Sequence, residues 1–334
     1  MSDTLVIRAD ASRDIGTGHV MRCLALAQAW MARGGGVCWA ATAMPEALSA
    51  RLAREGIFAR MIDPKLDAIA TSALADEAGA RWIIVDGYGF DGSYERALGH
   101  RVLAWDDDVH TDHAACALVL NQNIHAKPSM YPTVVPERVL AGPNFAQLRR
   151  EFWPLRTWKR THPAAARRLL ITMGGSDPTG TTRRLVDAIA GRTGLDVTVV
   201  IGSAARFDPL LLAAVERAKF RLVTDPPSMP ELMAQADLAL AAGGSTSWEL
   251  AFMGLPSLVV TLADNQRPIA EALGSAGVAV ALGWHASLDF AQVADTVRAL
   301  AGDLERRNQM SALGRALVDG NGGARVLDAM KGAA

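Results

Sequence analysis

Leu169-Leu170-Ile171-Thr172-Met173-Gly174-Gly175-Ser176-Asp177 is the stretch on which the fold turns. A short apolar run closed by paired glycines reads as a buried strand, and the helix-period sequence after it completes a strand, turn and helix of a parallel sheet. Downstream the rhythm continues. Val197 to Ile201 ends in Gly202, Ala236 to Leu240 leads to Gly243-Gly244-Ser245, Ser257 to Thr261 follows, and helices close the chain. Upstream, Leu5-Val6-Ile7 leads to a helix from about Val20 to Arg33, and Val37 to Ala40 leads to one around Glu46 to Glu55. Trp82 to Val85 leads to a third from about Ser93, and strands at Arg101 to Trp105 and Ala117 to Leu120 follow. A loop rich in Asn, Pro and Ser then runs from Asn121 to Pro136, before a short strand near Val139.

Between these two α/β halves the strand period vanishes. Residues 146–167 hold Arg149, Arg150, Trp153, Pro154, Arg156, Trp158, Lys159, Arg160 and Pro163, and read as an inter-domain connection with a helical part. The expected organisation is a first domain over residues 1–145, a linker over 146–167 and a second domain over 168–334. The length of 334 residues fits two domains better than one core. Lysine plus arginine number 34 against 35 acidic side chains, so a broad attraction to nucleic acid or anionic lipid is not expected. Cys23, Cys38 and Cys116 are widely spaced and argue against a disulfide framework. The N-terminus lacks a signal-peptide pattern and no long apolar run follows, which places the expected location in the cytoplasm without membrane insertion.

Ligands of open parallel sheets sit at the carboxyl ends of the strands, and the glycine clusters lie there. Gly16-Thr17-Gly18-His19 follows the first strand and opens the first helix. Its glycines permit a tight turn and close approach of a phosphate, but Met21 replaces the third glycine of a dinucleotide fingerprint. A helix N-terminus disfavours imidazolium at His19, while Asp10 and Asp14 favour it, and the balance stays open at this level. Gly174-Gly175-Ser176 reads either as a plain strand-to-helix turn or as an anion cradle, and Thr181 in the lysine position excludes a Walker A loop. Ser245-Thr246-Ser247 followed by Glu249 reads either as a helix cap with a first-turn acid or as a site for diphosphate and ribose. Asp106 to His113 contains four acids and two imidazoles, suited on paper to a metal or simply to a polar loop. Tyr88, in Asp86-Gly87-Tyr88-Gly89, ends another strand, where a phenol can meet a sugar oxygen or pack.

Taken together, Ile7 to Asp10, Gly16 to Arg22, Val85 to Gly89, Trp105 to Asp107, Asn121 to Asn123, Met173 to Asp177 and Asn265-Gln266 resemble, in order and spacing, a known family. It is the UDP-2,4-diacetamido-2,4,6-trideoxy-β-L-altropyranose hydrolases of pseudaminic acid biosynthesis. The second half also resembles the nucleotide-binding domain of MurG-type glycosyltransferases. This resemblance implies a GT-B fold, with two Rossmann-like domains whose parallel sheets face one another across a cleft. It implies an inverting, metal-independent hydrolase of a UDP-sugar that needs no cofactor or obligate protein partner. His19 matches the family's catalytic histidine. Gly16, Gly18, Gly174, Gly175, Ser176, Ser245, Thr246, Ser247, Glu249, Asn265 and Gln266 fall on the nucleotide and phosphate side. Asp10, Tyr88, Asp107, Asn121 and Lys127 fall on the sugar side. Gly87 stands where the family pattern often has a histidine, which implies a somewhat different pocket. A glycosyltransferase with the same donor, or a non-catalytic UDP-sugar binder, are the alternative readings.

Overall fold

Leu5-Val6-Ile7 shows why the strands form. Leu5 and Ile7 pack into one apolar cluster with Leu24 and Trp39, and Val6 packs into another with Ile83 and Val85 on the opposite face. A strand buried on both faces has no use for polar alternation, which accounts for the uninterrupted apolar runs. Each such side chain contributes about 1.5–3 kcal/mol on full burial.

In the computed structural model, which describes residues 3–12, 14–202, 205 and 208–333, the chain folds as two units: Met1–Arg150 with Gly320–Ala334, and Glu151–Asp319. The first unit runs β1 (Thr4–Ala9), α1 (Gly18–Ala32), β2 (Gly36–Ala41), α2 (Glu46–Ala53), β3 (Ala59–Met61), α3 (Asp67–Ala78) and β4 (Trp82–Asp86). It continues through α4 (Gly92–Ala97), β5 (Arg101–Trp105), β6 (Leu118–Asn121) and β7 (Val139–Ala141). The second runs β8 (Arg168–Thr172), α5 (Thr181–Ile189), β9 (Asp196–Ile201), α6 (Pro209–Ala218), β10 (Arg221–Thr224), α7 (Met229–Gln235) and β11 (Leu238–Ala242). It closes with α8 (Thr246–Phe252), β12 (Ser257–Thr261), α9 (Arg267–Ser275), β13 (Ala279–Trp284), α10 (Phe290–Gly302) and α11 (Leu304–Leu317), after which α12 (Gly322–Gly332) ends the chain.

The first sheet has seven strands in the order β3-β2-β1-β4-β5-β6-β7, and the second has six in the order β10-β9-β8-β11-β12-β13. All their ladders are parallel. Both are Rossmann-like orders, which reverse direction next to the first strand of each unit. The crevice at that reversal, between the carboxyl ends of β1 and β4 or of β8 and β11, is where such sheets bind ligands.

Two differences from the sequence reading concern long-range packing. The second domain was expected to run to residue 334, but α12 belongs to the first unit. Val326, Leu327 and Met330 complete the cluster around Leu5 and Trp39. Arg325 donates to the Asn144 carbonyl at 2.9 Å, and a Cβ on Gly322 would overlap the Ala146 carbonyl, so the helix meets this chain segment through glycine. The second difference is a set of elements that the sequence reading did not give: β3 and α3 between the second and third expected strands, and the edge strands β10 and β13 of the second sheet, the latter where only helices were expected. No helix among the described residues is long and apolar enough to cross a membrane.

Candidate active site

The register Ala9↔Asp86 sets the carboxyl ends of β1 and β4 side by side. Gly16, at φ 82°, turns the chain after β1, and Gly18 starts α1, so His19 occupies the first turn of that helix beside Asp86. His19 is 8% exposed. Burial lowers its pKa below the ordinary value; Asp86 opposes this and the Arg22 guanidinium reinforces it. The question left open by the sequence is thus answered in favour of a neutral imidazole near pH 7. Its Nδ1 is buried without a hydrogen-bond partner, 3.9 Å from Asp86 Oδ1. That is too long for a hydrogen bond in this conformation.

Arg22, one turn further along α1, ties the surroundings together. Its Nε and Nη2 each donate to Asp86 at 2.7 Å, and its Nη1 donates to both oxygens of Asp107 at 2.9 and 2.8 Å. The guanidinium also lies over the Trp105 ring, 4.8 Å from its centroid. Burial raises the pKa of Asp86, but Arg22 outweighs it, so the carboxyl stays below the usual range and ionised. With His19 neutral, the trio of Arg22, Asp86 and Asp107 carries one net negative charge in a buried setting. Asp107 also accepts from the Tyr88 hydroxyl at 3.2 Å and the Asn123 amide at 2.8 Å. The Tyr88 ring meets His19 edge-on, with centroids 5.2 Å apart, and remains 44% exposed. Tyr88 therefore forms a rim over the imidazole. Gly87 has φ 155°, and a Cβ there would stand 3.0 Å from the Phe90 ring, so a histidine at this position would require repacking.

The remaining sugar-side candidates have other occupations. Asp10 accepts from the Thr42 and Ala43 amides at 2.7 and 3.1 Å, from the Thr42 hydroxyl at 2.8 Å and from buried Arg8 at 2.8 Å, which pins the ends of β1 and β2 together. Asn121 is buried, donates to the Tyr131 hydroxyl at 2.9 Å and accepts from the Asn123 amide at 3.1 Å. It thereby shapes the loop that carries Asn123. Lys127 is exposed at the turn that opens over residues 128–130, apart from the buried cluster.

In the second unit the switch point lies between Gly174-Gly175-Ser176, after β8, and Gly243 to Ser247, after β11. Gly174 has φ 80°, and a Cβ on Gly202 would overlap the Gly175 backbone, so the turns after β8 and β9 touch through their main chains. Asp177, at φ 38°, accepts from the Thr181 and Thr182 amides at 3.0 and 2.8 Å. The start of α5 is thus capped by the chain's own carboxylate, leaving the preceding loop to act through its own amides. The start of α8 has no side-chain cap: Ser245 is its N-cap residue, Thr246 begins the helix, and the Ser247 hydroxyl is buried without a partner. Glu249 lies one turn in, half-buried. Gln266 folds against this turn, its Oε1 accepting from the Leu262 amide at 3.0 Å while its Nε2 stands 3.8 Å from where a Cβ on Gly244 would be. Asn265 lies in the same 264–266 turn leading into α9.

Of the residues singled out from the sequence, the structure brings His19, Tyr88 and Asp107 together, and it adds to them Arg22, Asp86 and Asn123, to which the sequence reading gave no role. The available signal was spacing: Arg22 lies three residues after His19 on one helix, and Asp86 and Asp107 stand at or just beyond the carboxyl ends of neighbouring strands.

No protein-family model matches the chain. The spore coat polysaccharide biosynthesis protein SpsG of Bacillus subtilis strain 168 is 26% identical over 193 residues, 57% of this chain and 57% of that one. An uncharacterized protein of Methanocaldococcus jannaschii, MJ1062, is 27% identical over 133 residues, 38% of this chain and 28% of that one. The matched stretch spans less than two thirds of the length of both. The UDP-2,4-diacetamido-2,4,6-trideoxy-β-L-altropyranose hydrolase of Campylobacter jejuni is 23% identical over 288 residues, 83% of this chain and 98% of that one. Among solved structures, MurG of Acinetobacter baumannii is 17% identical over 99% of this chain and 100% of its own, with a TM-score of 0.68. UGT2 of Phytolacca americana, complexed with UDP-2fluoro-glucose and pterostilbene, is 16% identical over 99% of both chains, with a TM-score of 0.70. The chain thus has the GT-B fold, and its sequence is distantly similar to that of the hydrolase.

Proposed function

We propose that this chain is a hydrolase of a UDP-linked 2,4-diacetamido-2,4,6-trideoxy sugar, releasing UDP and the free sugar. The observation that carries the reading is a buried His19, kept neutral at the β1/β4 switch point, with its Nδ1 toward ionised Asp86. With its proton on Nδ1, on the Asp86 side, the neutral imidazole has Nε2 as its general base. His19 takes a proton from water, the water oxygen bonds to the anomeric carbon on the face opposite the nucleotide, and the bond from that carbon to the diphosphate oxygen breaks. UDP leaves with the electron pair, the sugar emerges with inverted configuration, and His19 returns its proton to solvent. The similarity to the Campylobacter hydrolase along nearly its whole length supports the same reaction class.

The leaving diphosphate needs charge stabilisation more than a proton. The amides of Gly174 to Ser176 and the start of α8, with the unpartnered Ser247 hydroxyl, are suited to supply it. Glu249 takes the ribose hydroxyls, and Gln266 with Asn265 borders the nucleotide. Tyr88 and Asn123, both anchored on Asp107, face the sugar substituents. No step is routed through a metal or cofactor.

Purified protein incubated with the UDP-sugar and no acceptor, followed by phosphorus NMR, tests this. Wild type releases free UDP, whereas His19→Ala does not and still binds UDP by calorimetry. Loss of UDP affinity along with activity removes His19 from its role as base. The fold likeness to MurG and UGT2 favours an inverting glycosyltransferase as the second reading; UDP released only on addition of an acceptor selects it. Binding without turnover under either condition selects a non-catalytic binder.

A further inference from the structure

The connection from β5 to β6 contains a constellation that the proposed reaction does not use. Asp106 Oδ1 lies 2.8 Å from His110 Nδ1, and Asp106 Oδ2 lies 3.2 Å from His113 Nε2. His113 Nε2 makes this contact without a hydrogen bond, on a residue only 1% exposed. One ligand atom from each of Asp106, His110 and His113 falls within 4.8 Å of the others.

The outer nitrogens are what make this more than a polar loop. His110 Nε2 is 3.0 Å from the Phe90 carbonyl, and His113 Nδ1 is 2.6 Å from Glu95 Oε1. Metal-bound imidazoles characteristically give their second N–H to a carbonyl or carboxylate, which fixes the tautomer and aims the other nitrogen's lone pair at the ion. Both histidines have that partner here, on the side away from Asp106. Asp106 is held in turn by the Asp108 and Val109 amides at 3.2 and 2.8 Å, as ligating carboxylates are. The two imidazole planes meet at 83°, so their inner nitrogens converge on Asp106 from different directions.

We propose that Asp106, His110 Nδ1 and His113 Nε2 bind one divalent first-row transition ion of the zinc class, with the Phe90 carbonyl and Glu95 orienting the imidazoles. Two imidazoles and one carboxylate form a donor set for such an ion, with water completing the coordination. The ion replaces the proton shared between His110 Nδ1 and Asp106 and takes up the lone pair of His113 Nε2. It fixes the loop whose next residue, Asp107, holds Arg22 and Tyr88. The site is independent of the proposed reaction and takes no part in it.

The test uses the full chain, dialysed against chelator and then returned to chelator-free buffer, titrated with zinc chloride by calorimetry and with cobalt chloride by visible absorption. The expected result is one zinc per chain and cobalt bands of a nitrogen- and oxygen-ligated ion. His110→Ala abolishes stoichiometric binding, and Glu95→Gln weakens it about 10–100-fold, with circular dichroism showing both variants folded. Wild-type protein that takes up no stoichiometric zinc or cobalt overturns the proposal, even if the variants do not fold. Binding that His110→Ala leaves unchanged overturns it equally.

Discussion

Replacing Arg22 by methionine removes one cation from between two buried carboxylates, and the consequences are calculable. Four charge-assisted hydrogen bonds of 2.7–2.9 Å and the stacking on Trp105 are lost, and Asp86 and Asp107 are left facing each other without a counter-charge. Breaking a buried ion pair from one side costs about 3–5 kcal/mol, most of it the uncompensated charge. At roughly 2–4 °C per kcal/mol for a domain of this size, the first unit should melt about 6–20 °C lower. Its effect on His19 has a definite sign. Arg22 lowers the His19 pKa and Asp86 raises it, so removing Arg22 moves the imidazole titration to higher pH. Asp86→Asn combined with Arg22→Met should recover part of the stability and bring the titration back down. Calorimetric melting and a histidine proton NMR titration read both effects without reference to turnover. A melting temperature within about 2 °C of wild type, together with an unmoved His19 titration, would refute the charge assignment.

Four further outcomes are expected. Because burial holds the His19 pKa below its ordinary value, the acid limb of kcat/KM should fall below pH 6.5, rising as the ring loses its proton and level above it; a limb centred above 6.5 contradicts a neutral base. Asp177→Ala should cost about 0.5–2 kcal/mol through loss of the α5 cap, measured by denaturant unfolding of the second unit. Gly202→Ala should weaken UDP binding while leaving the His19 titration in place, since its Cβ would displace the Gly175 turn; unchanged affinity separates that turn from the nucleotide. Glu249→Ala should raise KM for the UDP-sugar by an interaction of about 1.5–3 kcal/mol, with kcat little changed, and an unaltered KM returns Glu249 to a first-turn acid.

The parts of the fold legible in the sequence are those set by local rules. Runs such as Leu169 to Met173 are buried on both faces, and the glycines after them serve turns that few other residues can make. Gly16 and Gly174 both have positive φ. What escaped the reading depends on tertiary contact. The return of α12 to the first unit rests on Gly322 meeting the Ala146 carbonyl, for which residues 320–334 carry no local signal. The short β3 and the α3 helix are mostly surface elements, and Arg60, Met61 and Ile69 give little periodicity. At the site, His19 was conspicuous because a histidine opens a helix after glycines. Arg22 was not, because its value comes from two aspartates separated from it by 64 and 85 residues. The sequence left Gly174 to Ser176 open between a plain turn and an anion cradle, and it gave no sign that Asp177 turns back to accept from the amides of α5.

The most direct test of the central claim is turnover of the UDP-sugar in water enriched in oxygen-18, with no acceptor and with phosphorus and proton NMR recorded from the first minutes. The account predicts free UDP without label on its phosphate, and a first-formed sugar that carries the label at its anomeric hydroxyl in the inverted configuration. Label on the UDP phosphate, or a first product that retains the anomeric configuration, would contradict attack by water at the anomeric carbon.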